Sequence, residues 1–282
     1  MYASKGPVVE EWADRKFFRP VGWRIANALL PTRVSPDAVT LGSLVLGVLA
    51  GHLFWYRGAW INAAGVLLFI LSDILDSADG QLARLRGTST RMGRTLDGLA
   101  DAGRFLSLYG HLAARLYVGG WGWQGVVLAL AALLSHSYQA AAADFIRQAY
   151  LYFAVGSGSE LDIPGQPAND DPSICGRIMA WIYGDYVRRQ AWLFPRTMRL
   201  ARALSGREVP ASVRESWAER QRWVVRSCAW IAQNIRFLLL TLTVVPHWPA
   251  AYCWIVVGPL NVVLLILIVA HEREPRLHAQ LA

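Results

Sequence analysis

The chain has 282 residues, of which 54% are hydrophobic and 17% are charged, and its formal net charge is +8. Soluble domains usually carry about 25% charged residues, so this composition argues against a soluble globular protein and favours a membrane protein. The three cysteines form no CxxC pair, which argues against both a disulfide framework and a zinc site.

The chain begins with a segment that predicts an amphipathic helix. Between Val8 and Leu30, aromatic and basic residues are interleaved with apolar ones, a pattern typical of a helix that lies on a membrane surface. Ser35 or Asp37 is expected to cap the helix that follows. Residues 1–35 are therefore assigned to an N-terminal juxtamembrane segment.

Six membrane-spanning helices are predicted from the apolar runs. A span needs about 20 mainly apolar residues, so the short second run must continue as helix through Asp73 and Asp76. Helices 1–4 are expected within residues 36–155, and helices 5 and 6 within residues 221–282. The predicted runs are 38–56, 59–72 with its extension, 96–118, 123–143, 223–246 and 250–270.

The distribution of positive charge predicts the orientation of these helices. Lysine and arginine are concentrated before span one, between spans two and three, between spans four and five, and after span six. The opposite loops hold only Arg57, with Arg115 near a helix end. By the positive-inside rule, both termini face the cytoplasm of a cell or inner membrane. Topology therefore explains the positive charge, and no nucleic-acid partner is expected.

Residues 156–220 predict a cytoplasmic loop followed by a helical insertion. The first part is rich in Gly, Pro, Asp and Ser, and the second is periodic with a break near Pro195. This insertion is expected to form a lid or a lipid-contacting platform. The predicted fold class is an all-α polytopic membrane protein with six transmembrane helices, an N-terminal amphipathic surface helix and a helical cytoplasmic insertion.

Four aspartates carry most of the chemical information. Asp76 and Asp79 are three residues apart, and Asp97 and Asp101 are four apart, so each pair lies on one face of its helix. The two helices are consecutive, so we expect antiparallel neighbours whose carboxylates converge near the cytoplasmic end. Clustered negative charges in a low-dielectric setting require compensation by a divalent cation. Asp73 lies outside this spacing and is open to two interpretations, a solvated helix end or a direct role.

The chemistry of the ligands narrows the choice of cofactor and substrate. All-oxygen ligands favour Mg²⁺ or Mn²⁺, and two such ions suit a pyrophosphate. Gly80 and Ala83 leave one helix face bare for close approach of a ligand, and Arg84 is suited to neutralising a phosphate.

The stretch from Asp76 to Asp101 resembles the signature of the CDP-alcohol phosphotransferase family, D-x2-D-G-x2-A-R-x8-G-x3-D-x3-D, at every fixed position. The resemblance implies a homodimeric six-helix enzyme that transfers a substituted phosphate group from a CDP-linked donor to an acceptor hydroxyl, with release of CMP. It implies that Asp76, Asp79 and Asp97 bind metal, and that Asp101 is both a further ligand and the catalytic base. The residues implied to lie at the CDP group are Gly80, Ala83, Arg84, Gly93 and Thr40. Upstream of them, Asp37 replaces an asparagine found in many members.

The donor and the acceptor remain open at the level of sequence. CDP-diacylglycerol is favoured as the donor in phospholipid biosynthesis, and a soluble CDP-alcohol with a lipid or alcohol-phosphate acceptor is the alternative. Arg104 and Arg147 are expected to hold an anionic acceptor. Arg115 and Arg226 lie near helix ends and are expected to extend towards the headgroups.

Two other classes of membrane protein also use acidic residues within the membrane. A prenyltransferase of the UbiA type also binds a pyrophosphate through aspartates and Mg²⁺, but it predicts a second aspartate-rich motif in the other half of the bundle. A cation transporter predicts internal repeats and broken helices at the membrane midplane. This sequence shows neither a second motif nor a repeat.

Overall fold

The computed structural model describes residues 6, 8–88, 91–155, 161–162, 164, 173–203 and 211–273, and every regular element in these ranges is helical. Short π-helical turns cover Asp14–Phe18, Tyr117–Trp121 and Leu151–Val155, and a 3₁₀ turn covers Cys228–Ile231. The α-helices are α1 (Arg19–Leu29), α2 (Pro36–Leu53), α3 (Ala59–Leu85), α4 (Arg91–Leu116), α5 (Gly122–Tyr150), α6 (Ile174–Leu193), α7 (Pro195–Ala203), α8 (Ala211–Ser227), α9 (Gln233–Thr243), α10 (Pro249–Val257) and α11 (Pro259–Glu272).

Four helical stretches within the described residues are long and apolar enough to cross a membrane. They are Pro36–Leu53, Ala59–Leu85, Thr95–Ala154 and Pro249–Glu272. The second stretch confirms that α3 continues through Asp73 and Asp76. The all-helical class is therefore confirmed together with four candidate spans.

The third stretch contains two helices that fold back on each other. Gly120 and Gly122, at the junction of α4 and α5, have φ values of 99° and 51°, a region that glycine enters without steric cost. Across the reversal, the hydroxyl of Tyr109 in α4 lies 3.1 Å from Nδ1 of His136 in α5. The glycine-rich linker therefore forms a tight turn between α4 and α5.

The predicted fifth span, 223–246, is not a continuous helix. α8 ends at Ser227, a 3₁₀ turn follows, and Ala232 is extended before α9 begins. Eleven residues of α9 rise about 16 Å, roughly half of the hydrocarbon thickness. Buried Arg236 donates to the oxygen of Ile231 at 3.0 Å and to Oε1 of Gln139 at 2.7 Å, so it bonds a carbonyl beside the break.

The N-terminal helix α1 packs against α3. A Cβ atom at Gly22 would lie 2.8 Å from the Ser77 hydroxyl oxygen, so the two helices approach closely beside the predicted catalytic motif. The Arg86 guanidinium donates to the backbone oxygens of Leu29 and Thr32, both at 2.9 Å. These bonds attach the linker between α1 and α2 to the end of α3. The position of α1 on a membrane surface stays a prediction.

Side-chain contacts determine where α2 begins. The Ser35 hydroxyl accepts a hydrogen bond from the Ala38 amide at 3.1 Å. Of the two caps predicted from the sequence, Ser35 and Asp37, Ser35 is therefore the one that caps the helix. Asp37 is exposed in the first turn of α2.

The helical insertion packs against the membrane-spanning body. The Tyr186 hydroxyl of α6 donates to Asp144 of α5 at 2.6 Å, and burial beside that carboxylate raises the pKa of Tyr186 well above its ordinary value. The helix breaks at Phe194, just before Pro195, as predicted. The carboxylate of Glu272 in α11 accepts from the amide and the hydroxyl of Thr197, which fixes the start of α7.

Helices α2 and α4 approach each other closely at Gly51. A Cβ atom at Gly51 would lie 2.7 Å from the Leu108 amide nitrogen and 2.5 Å from the Ser107 hydroxyl oxygen. Small residues at such crossings allow helix backbones to pack closely in membranes.

We expect Gly51→Ala to destabilise the protein by about 1–3 kcal/mol, because the new methyl group meets backbone that cannot move aside. The check is the thermal midpoint of the purified chain in detergent. Gly42→Ala in the same helix is the matched control, since its Cβ would meet only Leu75 Cδ1 at 3.8 Å. Equal midpoints for the two variants would contradict the predicted crossing.

Candidate metal and catalytic site

Helix α2 packs extensively against both helices that carry the aspartates, whereas α3 and α4 make few close backbone contacts with each other. Side chains of α3 and α4 nevertheless meet directly, as expected for neighbouring helices, because Arg104 of α4 bonds to Asp73 and Asp76 of α3. The space left between α3 and α4 is bridged by side chains, and this is where the carboxylates meet.

Three aspartates come together as the motif predicts. One carboxylate oxygen each from Asp76, Asp79 and Asp97 lies within 4.8 Å of the other two. Oxygen ligands on opposite sides of a Mg²⁺ ion are about 4.2 Å apart, so small side-chain adjustments would let all three bind one ion. Oδ1 of Asp97 is buried and accepts no hydrogen bond from the described residues, as expected for an oxygen reserved for a cation.

Asp79 is the most deeply placed of these ligands. The residue is 5% exposed, and its Oδ2 accepts a 2.6 Å hydrogen bond from the Thr40 hydroxyl of α2. Thr40, predicted at the CDP group, therefore lies within the site as the partner of a candidate metal ligand. A hydrogen bond of this kind orients a metal-binding carboxylate and reduces its conformational freedom.

Asp101 lies in contact with Arg104, and not within the group of three. The Arg104 guanidinium also donates to Asp76 at 3.0 Å and to Asp73 at 3.3 Å. Arg104 is 2% exposed, and its stem lies against Gly47, where a Cβ atom would collide with it. One buried arginine thus holds three of the five aspartates in this region.

Asp73 belongs to the site, and the sequence left its role open. It lies inside α3 with its side chain 20% exposed, and it pairs with Arg104 instead of ending a helix in water. The available sequence signal was its position three residues before Asp76, which places both on one helix face.

Apart from Thr40 in α2, the residues predicted to contact CDP lie near the end of α3 and the start of α4. A Cβ atom at Gly80 would meet only the Arg84 guanidinium, at 3.5 Å or more, so this helix face is open. Arg84 is exposed, whereas Ala83 and Gly93 are half-buried. The structure leaves this face accessible to a ligand, and the CDP contacts themselves stay a prediction.

Arg147, the second arginine predicted to hold an acceptor, has a carboxylate partner. It donates to Glu11 at 2.7 Å, and Glu11 also accepts from Asn234 at 2.7 Å. Burial raises the pKa of Glu11 above its ordinary value, against the opposing effect of the Arg147 charge. The N-terminal segment therefore neutralises an arginine that was expected to be available for an anion.

Comparison with known proteins gives similarity over part of the chain. Residues 33–154 match the model of the CDP-alcohol phosphatidyltransferase family. This part of the chain is therefore similar to that family. The members of this family and the named relatives are transferases of substituted phosphate groups. Together with the four apolar stretches, the family indicates an integral membrane protein.

Several curated relatives resemble this chain over the same region. A phosphatidylinositol phosphate synthase of Mycobacteroides abscessus is 32% identical over 128 residues, which are 43% of this chain and 53% of the relative. One from Streptomyces avermitilis is 38% identical over 108 residues, 38% of this chain and 42% of the relative. A CDP-diacylglycerol–serine O-phosphatidyltransferase of Helicobacter pylori is 33% identical over 89 residues, 32% and 36%. The chain thus spans about half or less of the length of these relatives.

We expect Thr40→Val to weaken binding of Mg²⁺ or Mn²⁺ by roughly 10–100-fold, because Asp79 loses the hydrogen bond that orients it. Mn²⁺ titration of the purified chain, followed by electron paramagnetic resonance, measures this affinity without turnover. Thr40→Ser keeps the hydroxyl and should stay within a few-fold of the parent. Unchanged affinity in Thr40→Val would show that the bond does not support the metal site.

Proposed function

We propose that the protein is a membrane phosphotransferase of phospholipid biosynthesis that transfers a phosphatidyl group from CDP-diacylglycerol to an acceptor hydroxyl and releases CMP. The observation that carries this proposal is the meeting of Asp76, Asp79 and Asp97 within the segment that matches the family. The names of the relatives support the donor, because they include a CDP-diacylglycerol-dependent enzyme.

The three aspartates are proposed as ligands of Mg²⁺ or Mn²⁺. When bound there, such ions supply positive charge that polarises the pyrophosphate oxygens and stabilises the departing phosphate. The described residues fit this role, because hard divalent ions prefer carboxylate oxygens and because one buried oxygen of Asp97 has no other partner. A second ion would require Asp101 to turn from Arg104 towards the group of three.

Asp101 is proposed as the general base. Its side chain is 43% exposed, the highest value among Asp73, Asp76 and Asp101, so it can receive a proton from an acceptor that enters from water. Asp101 takes the hydroxyl proton, the acceptor oxygen bonds to the lipid-linked phosphorus, and the bond from that phosphorus to the CMP oxygen breaks. Arg104 positions the carboxylate of Asp101 for this step.

The proposed acceptor is an alcohol, and the pairing of two arginines with carboxylates bears on the charge that it carries. Arg104 and Arg147 both pair with carboxylates, so an anionic acceptor would have to compete with Asp101 or Glu11 for them. Such competition disfavours the binding of a strongly anionic acceptor. The test must therefore include a phosphorylated alcohol such as inositol phosphate and an unphosphorylated one such as serine.

The topology and assembly complete the proposal. We infer six crossings, with both termini and the aspartates on the cytoplasmic side, from the distribution of positive charge. The fifth crossing would comprise the broken segment from α8 to α9. A homodimer is inferred from the family resemblance, and residues 156–220 are proposed to form a loop and helical insertion on the cytoplasmic side.

The decisive experiment measures CMP release by the purified chain with CDP-diacylglycerol, Mg²⁺ and each acceptor. Activity should disappear on chelation and return with Mg²⁺ or Mn²⁺. Asp101→Asn should lower kcat by about 100-fold or more, as expected for loss of a general base. Asp185→Asn, which alters a carboxylate that pairs within α6, is the control. Absence of metal-dependent CMP formation with either CDP-diacylglycerol or a soluble CDP-alcohol would refute the proposal.

Replacement of Arg104 separates positioning from acceptor binding. If Arg104 positions Asp101, Arg104→Gln should lower kcat at least tenfold with little change in the acceptor KM, because loss of the ion pair leaves Asp101 misplaced. Arg104→Lys should recover part of kcat, since it keeps the charge but not the planar fork. A rise in the acceptor KM at constant kcat would instead assign Arg104 to the acceptor.

A further inference from the structure

A cavity lies at the opposite end of the bundle from the aspartates. Its volume is about 480 Å³, and its lining includes Arg57, Arg115, Trp121, His247 and Trp248. Arg57 immediately precedes α3, and Asp76 follows far along the same helix, so the two sites are separated by about 25 Å along its axis. This distance is close to the thickness of a bilayer core.

Arg115 is a buried cation with neutral partners. The residue is 3% exposed, in contrast to the sequence-based expectation that it extends towards the headgroups. Its Nη1 donates to the oxygen of Phe54 at 3.0 Å and to Oδ1 of Asn62 at 3.1 Å. Its Nη2 lies 3.3 Å from Nδ1 of His247. These bonds fix the guanidinium in place, but none of them supplies a negative charge.

Arg57 adds a second positive charge to the same cavity. It is exposed, and its Nη2 donates a long 3.4 Å hydrogen bond to the oxygen of Val118. Among the described residues, no carboxylate lies within ion-pair distance of Arg57 or Arg115. Two guanidinium groups that share a cavity at a membrane-spanning bundle without an acidic partner repel each other, and a bound anion relieves that repulsion.

The backbone at the rim supports a binding role. Among the described residues, His247 is the only non-glycine residue with a positive φ, 74°. The turn that holds it includes the bond from the Trp248 amide to the Thr243 oxygen at 2.6 Å. Such a conformation costs roughly 1–3 kcal/mol and tends to occur at functional sites. Here it accompanies the approach of the imidazole to Arg115 at the cavity.

We propose that this cavity binds a phosphate group through Arg57 and Arg115. Guanidinium groups recognise phosphate through paired charge-assisted hydrogen bonds, and the half-exposed indoles of Trp121 and Trp248 suit the level of lipid headgroups. The phosphate can belong to an anionic phospholipid or to a free anion. Binding here is independent of the transfer reaction, because the cavity lies at the other end of the helices.

The test measures ligand binding to the full chain without any assay of turnover. One arm places the purified protein in nanodiscs of phosphatidylcholine with increasing phosphatidylglycerol, and counts retained lipids by native mass spectrometry after detergent release. The other arm titrates inorganic phosphate into the protein in detergent by calorimetry. Selective retention of phosphatidylglycerol alone indicates a lipid headgroup, and binding in both arms indicates recognition of phosphate itself.

The variants decide whether the cavity is responsible. Arg57→Gln should weaken the observed binding about tenfold, as expected for loss of one charge-assisted contact. Arg222→Gln, which removes an exposed arginine of α8 outside the cavity lining, should change it less than twofold. If Arg115→Gln does not fold, Arg115→Lys takes its place, because lysine keeps the positive charge. No preference for either phosphate ligand over phosphatidylcholine, or equal binding by Arg57→Gln and Arg222→Gln, would overturn the proposal.

Discussion

Mutual repulsion among buried carboxylates is the constraint on which the catalytic half of this structure depends. Asp73, Asp76, Asp79, Asp97 and Asp101 lie in one region of an apolar bundle, and Arg104 pairs with three of them. One positive charge does not balance five negative ones in a low-dielectric setting, so the arrangement requires further cations. If a divalent metal binds here as proposed, its binding and the stability of this region are linked, and the positive charge of the metal, not that of the aspartates, would attract a pyrophosphate.

Contacts from α2 position the aspartates of α3 and α4 relative to one another. One face of α2 contacts both helices that carry the aspartates. Thr40 bonds to Asp79, and the Ser43 oxygen accepts from Ser72 at 2.7 Å, while Gly47 and Gly51 let Arg104 and the backbone of α4 approach closely. A larger side chain at either glycine would displace the arginine or the helix. The candidate metal ligands are thus positioned by a neighbouring helix that contributes no carboxylate to the group of three.

The two ends of the bundle have opposite electrostatic character. Aspartates with one arginine occupy one end, and two arginines without a described acidic partner occupy the other. The N-terminal segment packs at the end that carries the aspartates, because Glu11 pairs with Arg147 and because α1 packs beside Ser77. The two arginines predicted to hold an acceptor, Arg104 and Arg147, are therefore both engaged by carboxylates.

The sequence by itself determined the helical class and the course of α3 through Asp73 and Asp76, and it limited the cap of α2 to Ser35 or Asp37, since these follow from hydrophobic run length and local capping chemistry. Helical spacing also predicted that Asp76, Asp79 and Asp97 meet, but it placed Asp101 with them. Tertiary structure decided what spacing does not encode. α2 packs against both α3 and α4, the segment from α8 to α9 is broken, Asp101 pairs with Arg104, and Arg115 is buried instead of extended. Each of these depends on which distant side chain or carbonyl satisfies a buried charge. Local periodicity cannot specify that partner, because the partners come from different helices and meet only when the bundle packs.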